Sequence, residues 1–338
     1  MNSINSKAKE HKTLEQVSAK QITDATAERN EMLAKDFGML LKRRAFKIFI
    51  WLISKLPIQV RAKIGRMIGT LFALAPTKDR EIALLQMKRF LGPQYATNQM
   101  YRQIIANFGE SVFETLDLFP YINNFDKMFS MQDVEGFKEI TCSGSPCLVL
   151  TAHTGNWDLM AAYTCYLGMP LLTAAKKANK PILQEHLAEL RERYGIKTIW
   201  RTSAFSSRGL IHGIREGRAL AALIDQDTKV DGIPVPFFGE LAATPSSVIS
   251  IAQRNNLPIV AIVNFRTAPG RFQGYWRKFD ASQTPLEILT QYNQFLEALI
   301  RQYPDQWVWF HKRWRTIPGG ERLSSDEYLK KLRRESQN

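Results

Sequence analysis

The sequence predicts an α/β fold, a mainly parallel central sheet flanked by helices, with a separate helical region ahead of it. Two observations carry that expectation. From about residue 131, short apolar and partly β-branched runs fall at 147–152, 171–174, 197–200, 219–224, 258–264 and 273–279, and helical periodicity falls between them near 155–168, 181–194, 206–216, 245–255 and 285–303. Such alternation builds βαβ units, which cover a parallel sheet on both faces. Before residue 131 the texture is helical: the segment 97–118 places Met100, Ile104, Ile105, Phe108, Val112 and Leu116 at the spacing of one helix face. The chain is thus expected to divide into an extension (1–36), a basic amphipathic helical region (37–130), the α/β core (131–318) and a C-terminal helical tail (319–338).

Taken in order, residues 1–36 hold no aromatic residue and balance six acids against six bases. With so little to bury, a loosely helical or mobile extension is expected there, and it lacks the apolar stretch of a signal peptide. The composition then shifts. From Phe37 to Lys78 there is no Asp or Glu, while nine bases alternate with apolar residues that include Phe46, Phe49 and Trp51. The uninterrupted apolar run, 48–54, is seven residues long, well short of the ~20 that a membrane-crossing helix needs. Basic flanks around a Trp-bearing apolar patch suit a helix lying in a lipid interface. The plainer alternative is a core helix with a solvated basic face. The whole chain has a net charge of +14, which points to a polyanionic partner: nucleic acid, an anionic membrane or a phosphorylated substrate. Cys142, Cys147 and Cys165 show no metal-ligand spacing or CxxC pair and read as free thiols.

The most informative segment runs from Cys147 through Ala152 to His153-Thr-Gly-Asn-Trp-Asp158. An apolar strand ends at Ala152, and His153 follows at its carboxyl end, ahead of a Gly-containing turn into a helix. That is where a doubly wound sheet presents reactive groups. The turn is expected to fold Asp158 back toward the imidazole. A carboxylate on one ring nitrogen fixes the tautomer and raises basicity at the other, which then takes a proton from a substrate hydroxyl. The new helix N-terminus offers N–H groups to a developing oxyanion. The bland reading also stands: an Asp in the first turn of a helix is favourable through the macrodipole alone. No nucleophilic Ser elbow and no metal cluster is apparent, so neither a metal nor a cofactor is expected.

His153-Thr-Gly-Asn-Trp-Asp158 resembles the H-x4-D/E motif of the lipid A late acyltransferases, the lauroyl/myristoyl transferase family. Two further blocks agree in order and spacing. Asp225-Gln-Asp227 with Gly232-Ile-Pro-Val-Pro-Phe-Phe-Gly239 is similar to the second family block. Gln306-Trp-Val-Trp-Phe-His-Lys-Arg-Trp-Arg-Thr316 is similar to the C-terminal one. The resemblance covers roughly residues 40–318. The better-known enterobacterial members carry Glu where this chain has Asp158; Asp occurs in the wider family and in mannoside acyltransferases.

The resemblance implies a glycerolipid-acyltransferase-like fold on the cytoplasmic face of the bacterial inner membrane. It implies an acyl carrier protein thioester (less often acyl-CoA) as donor, a hydroxyl of a phosphorylated glycolipid as acceptor, and an anionic membrane surface rather than nucleic acid as partner. His153 carries over as general base and Asp158 as its orienter. Asn156, Trp157, Arg193, Asp225, Asp227 and Arg313 are the expected substrate-binding residues, Arg193 and Arg313 for phosphate. Asp225 and Asp227 close a strand, where carboxylates orient bases, bind substrate or cap a turn. His311 equally fits a packed histidine, and Glu110 and Glu114 read as solvated or paired. Acyl transfer to another glycolipid or aminolipid, such as a mannoside, and a non-enzymatic basic membrane- or nucleic-acid-binding protein are the alternatives.

Overall fold

The computed structural model describes residues 38–118, 121, 124–176, 181–201, 207–228 and 232–337, so the expectation for 1–36 lies outside the described residues. The described residues fall into two compact units, divided between Lys55 and Leu56. In the first, helix α1 (38–54) carries the basic, Trp-bearing run. The second holds α2 (Ile58–Phe72), α3 (Lys78–Phe90) and α4 (Asn98–Thr115), followed by α5 (Phe125–Met128) and β1 (Phe129–Met131). Next come α6 (Val134–Thr141), β2 (Leu148–Thr151), α7 (Trp157–Tyr166), β3 (Leu171–Lys176), α8 (Pro181–Arg193), β4 (Ile196–Arg201), α9 (Ser207–Arg215) and β5 (Ala219–Leu223). The unit closes with β6 (Gly232–Phe237), β7 (Glu240–Pro245), α10 (Ser247–Arg254), β8 (Ile259–Ala268), β9 (Arg271–Phe279), α11 (Pro285–Gln302) and α12 (Ser325–Glu335).

Seven strands form one sheet in the order β1-β9-β8-β2-β5-β3-β4, parallel at every pair except β8 with β9. The expected mainly parallel sheet flanked by helices is therefore present. β2 lies between β5 and β8, with Leu148 opposite Leu220 on one side and Ile259 on the other. Alternate β2 residues go to opposite cores: Leu148 and Leu150 pack into one apolar cluster, Cys147 and Val149 into the other. A strand buried on both faces reads as a continuous apolar run, which is why 147–152 was legible.

The β6–β7 hairpin was not expected, because Pro234 and Pro236 argue against a strand. They sit at exposed positions of a two-stranded ribbon, opposite Ala243 and Leu241, where a missing N–H is tolerated. Phe237 and Phe238 are buried against Trp307, Trp309 and Trp314, so they belong to the core.

α2 and α4 approach with glycines at the crossing. A Cβ on Gly65 or Gly109 would collide with the backbone oxygen of the other, and one on Gly69 with Ile105 O. α4 also reaches the turn after β2, where the Ser111 hydroxyl donates to Gly155 O. Gly109→Val should push the helices apart and destabilise the fold by about 1–3 kcal/mol, the range for overpacking. Thermal melting checks this; an unchanged midpoint would mean that the crossing is not tight.

Candidate active site

His153 follows β2, and the turn after it is clamped from three sides. Gly155 sits at φ 51°, and a Cβ there would meet Asn264 O at 2.5 Å, so this position needs glycine. From α4, the Ser111 hydroxyl donates to Gly155 O at 2.9 Å. From β8, Asn264 Oδ1 accepts from Asn156 N at 3.2 Å, and Asn264 Nδ2 donates to Asn156 O at 3.1 Å. From the segment after α11, Gln306 O accepts from Gly155 N at 3.1 Å.

The partner of His153 is Asp225, which follows β5, the neighbour of β2. Asp225 Oδ1 lies 2.8 Å from His153 Nδ1, while Oδ2 accepts from the His153 backbone N–H and from Trp307 Nε1, both at 2.9 Å. The carboxylate is completely buried. Burial alone would raise its pKa, but the His153 ring and these hydrogen bonds outweigh that and hold it at about 2. With Nδ1 taken, Nε2 is the ring nitrogen left for chemistry. The ring borders a narrow apolar crevice of about 20 Å³ walled by Phe108, Trp157, Trp307 and Phe310. Trp157 meets it edge-on at 5.0 Å.

The structure corrects the expectation that Asp158 orients the imidazole. Asp158 lies in the first turn of α7 and accepts from Arg191 of α8, at 2.8 Å from Nε and 2.7 Å from Nη2. An arginine fork has drawn it to the α7–α8 contact, and Asp225 occupies the place it was expected to fill. Of the expected oxyanion donors at the N-terminus of α7, the Leu159 N–H is committed to Asn156 Oδ1.

Three expected substrate contacts are structural. Asn156 is buried and caps α7, and its Nδ2 donates to Glu114 Oε2 at 2.9 Å. Asp227 is buried and accepts from Thr316 N and Arg322 Nε at 2.9 and 2.7 Å, which fixes the C-terminal segment. Arg313 is fully buried, donating to Ala243 O and the Thr244 hydroxyl, and no phosphate at the surface can reach it. Arg193 is exposed in the last turn of α8, and the arginine of that helix that meets a site carboxylate is Arg191.

Of the two readings of Glu110 and Glu114, solvated or paired, the structure has the paired one, and sequence reasoning missed only the partner, Arg266. Glu114 accepts both arms of Arg266 at 2.7 Å, and Arg266 also lies 3.2 Å from Glu110. Burial leads among the influences on Glu110 and raises its pKa in spite of Arg266. Two carboxylates on one face of an otherwise apolar-striped helix were the available signal. Among the described residues no group of His, Cys, Asp and Glu is arranged to hold a metal ion.

With this geometry in view, the family model of the bacterial lipid A biosynthesis acyltransferases matches residues 40–316. The chain belongs to that family. It is therefore an acyltransferase of the lipid A type. It is 23% identical over 283 residues to the lipid A biosynthesis palmitoleoyltransferase of Escherichia coli, covering 80% of this chain and 90% of the relative. It is 21% identical over 261 residues to the phosphatidylinositol mannoside acyltransferase of Mycolicibacterium smegmatis, covering 76% and 79%. A lipid A biosynthesis acyltransferase of Haemophilus influenzae is 20% identical over 283 residues, covering 81% and 88%.

His311 lies close enough to His153 and Asp225 to feel both charges, but burial is the larger influence and lowers its pKa from 6.5 to about 4. Between those values the unfolded chain takes up a proton that the folded chain refuses, so stability falls as pH drops from 6.5 toward 4. His311→Gln should flatten that fall. Urea denaturation at pH 7 and pH 5 measures it, and an equal pH slope in the two proteins would contradict the assignment.

Proposed function

We propose that this chain transfers a fatty acyl group from an acyl carrier protein thioester to a hydroxyl of a lipid A precursor, at the cytoplasmic face of the bacterial inner membrane. The observation that carries the reading is the His153–Asp225 pair at the tip of β2, with Nε2 beside an apolar crevice. His153 Nε2 takes the proton of the acceptor hydroxyl as its oxygen attacks the thioester carbonyl. The tetrahedral intermediate collapses with loss of the C–S bond, and the leaving thiolate takes the proton back from Nε2, giving an ester and a free thiol. Asp225 keeps the proton-bearing nitrogen at Nδ1 and stabilises the imidazolium that forms. Trp157 lies beside the ring, where the acyl chain or the acceptor would pass. Asp158 remains a proposed site residue acting with Arg191 as one ion pair, and Arg193 a proposed phosphate contact. A second reading, with a mannoside acceptor, is favoured by the similarity to the mycobacterial mannoside enzyme.

In a purified assay with carrier-protein thioester and lipid A precursor, His153→Ala and Asp225→Ala should each lower kcat by roughly 10²–10⁴. Asp158→Ala combined with Arg191→Ala should be no worse than the stronger single change, since one pair is lost in either case. Near-wild-type turnover without His153 would sink the base assignment. Transfer to a mannoside but not to lipid A precursor would select the second reading.

Membrane contact is proposed for the basic region. No helix among the described residues is long and apolar enough to cross a membrane. In α1, Leu40, Leu41, Ile48, Phe49, Trp51 and Leu52 are exposed on a helix that also carries Lys42, Arg43, Arg44 and Lys47. An apolar surface with basic neighbours suits the interface of an anionic bilayer. Binding to anionic vesicles should weaken in high salt and after Trp51→Ser with Leu52→Ser; co-flotation indifferent to both would remove the anchor.

A further inference from the structure

Beside the His153 crevice lies a cleft of about 1030 Å³ to which the chemistry above assigns nothing. The two share Asn107, Asp305 and Gln306 in their walls, so the cleft adjoins the crevice that His153 borders. The cleft is basic. Lys63 and Arg66 come from α2, Lys127 from α5, and Arg266 and Arg271 from the β8–β9 hairpin, against the acids Glu110 and Asp305.

Most of these charges are already committed. Arg66 and Arg266 flank Glu110 at 3.1 and 3.2 Å, and Arg266 holds Glu114 with both arms. Asp305 accepts from Asn107 Nδ2 at 2.9 Å, and Arg271 donates to Lys127 O. Lys63 and Lys127 differ. Both are exposed, and no hydrogen bond or ion pair of either ammonium occurs among the described residues. Two uncommitted cations facing one cleft make a field that favours an anion.

The position of Lys63 says which kind of anion. On α2, residues three and four apart are neighbours. Lys63 therefore adjoins Gln59 and Arg66, which line the cleft, and also Val60 and Met67, which are exposed and apolar. Leu71 extends that apolar stripe, 60% exposed, and Phe72 beside it is 72% exposed. Lys63 thus stands where a basic cleft meets a bare apolar stripe. A lipid with a phosphorylated headgroup matches both surfaces: anion to the lysines, hydrocarbon to the stripe.

We propose that this cleft seats the phosphate-bearing headgroup of a lipid, with Lys63 and Lys127 as its phosphate donors. The inference deepens the acyl-transfer reading and rests on it in one respect, that the lipid is the acceptor whose hydroxyl is presented past Asn107 to His153.

The test uses the full-length chain and the double variant Lys63→Ala/Lys127→Ala, whose exposed, unpaired side chains leave the core untouched. Dihexanoyl phosphatidic acid below its micelle concentration is titrated by calorimetry, with dihexanoylglycerol as the phosphate-free control. The wild type should bind the phosphatidic acid about tenfold more tightly than the variant, Lys63→Arg/Lys127→Arg should restore binding, and the control should not distinguish the proteins. In the transfer assay the variant should raise KM for the phosphorylated acceptor about tenfold, with kcat and donor KM unchanged, and a dephosphorylated acceptor should be insensitive to the change. Lysine-dependent phosphatidic acid binding with an unchanged acceptor KM keeps the site and assigns it to a bulk phospholipid. Equal phosphatidic acid binding by wild type and variant overturns the proposal, as does a rise confined to donor KM, which would give the cleft to the carrier protein. If the wild type acylates no lipid A precursor, the acyl-transfer reading fails, while the calorimetry still decides the cleft.

Discussion

A carboxylate with no exposure to water is tolerable only when its lone pairs are filled, and at Asp225 three donors fill them: the His153 ring, the His153 backbone N–H and the Trp307 indole. Those donors come from two places far apart in sequence, the end of β2 and the segment after α11. The carboxylate itself stands at the end of β5. Satisfying it therefore requires β2 and β5 to be neighbours in the sheet and the Trp307 segment to fold back over both. The isolated bridge between Thr154 and Trp307 is the backbone side of the same closure. The proposed base and the fold share one bond, so the imidazole is oriented by something the core cannot give up.

A second buried charge works one layer behind. Glu114 joins the Arg266 fork to the Asn156 amide, which ties α4, β8 and the N-terminus of α7 together. The glycine crossing sets how near α2 comes to α4, while Ser111 and Glu114 tie α4 itself to the turn. The polar residues in the three motif blocks consequently divide by burial. His153, Trp157 and Asp158 retain some exposure; Asn156, Asp225, Asp227 and Arg313 are consumed inside the protein.

This division explains what was legible in the sequence. Strands β2, β5 and β8 were found because burial leaves a nearly continuous apolar run, whereas β3, β4 and β9, buried only in part, were found from shorter mixed runs. β1 is three residues long and carries too little pattern, and β6 hides behind two prolines. His153 was found because a strand end followed by a glycine turn is visible locally. Its partner was misassigned because strand order is not: Asp158 is five residues away in sequence, whereas Asp225 comes beside the ring only because β5 pairs with β2. Arg313 was placed on phosphate because a cation among aromatics reads the same whether it faces a headgroup or lies under the Trp314 cluster.

The crevice and the cleft ask for opposite solvents, and they meet at a shared wall. On the crevice side the walls are aromatic, which strengthens the Asp225–His153 interaction by excluding water. On the cleft side they are basic. Asn107 lines both, and its amide faces a charge of each sign: its oxygen accepts from Arg66, and its Nδ2 donates to Asp305. A neutral side chain with one donor end and one acceptor end satisfies both ions without placing a net charge beside the imidazole. An aspartate would lose the donor to Asp305, and a lysine would lose the acceptor for Arg66. An apolar residue would leave both ions without that bond. An amide is the side chain that serves both ions at the wall that the crevice and the cleft share.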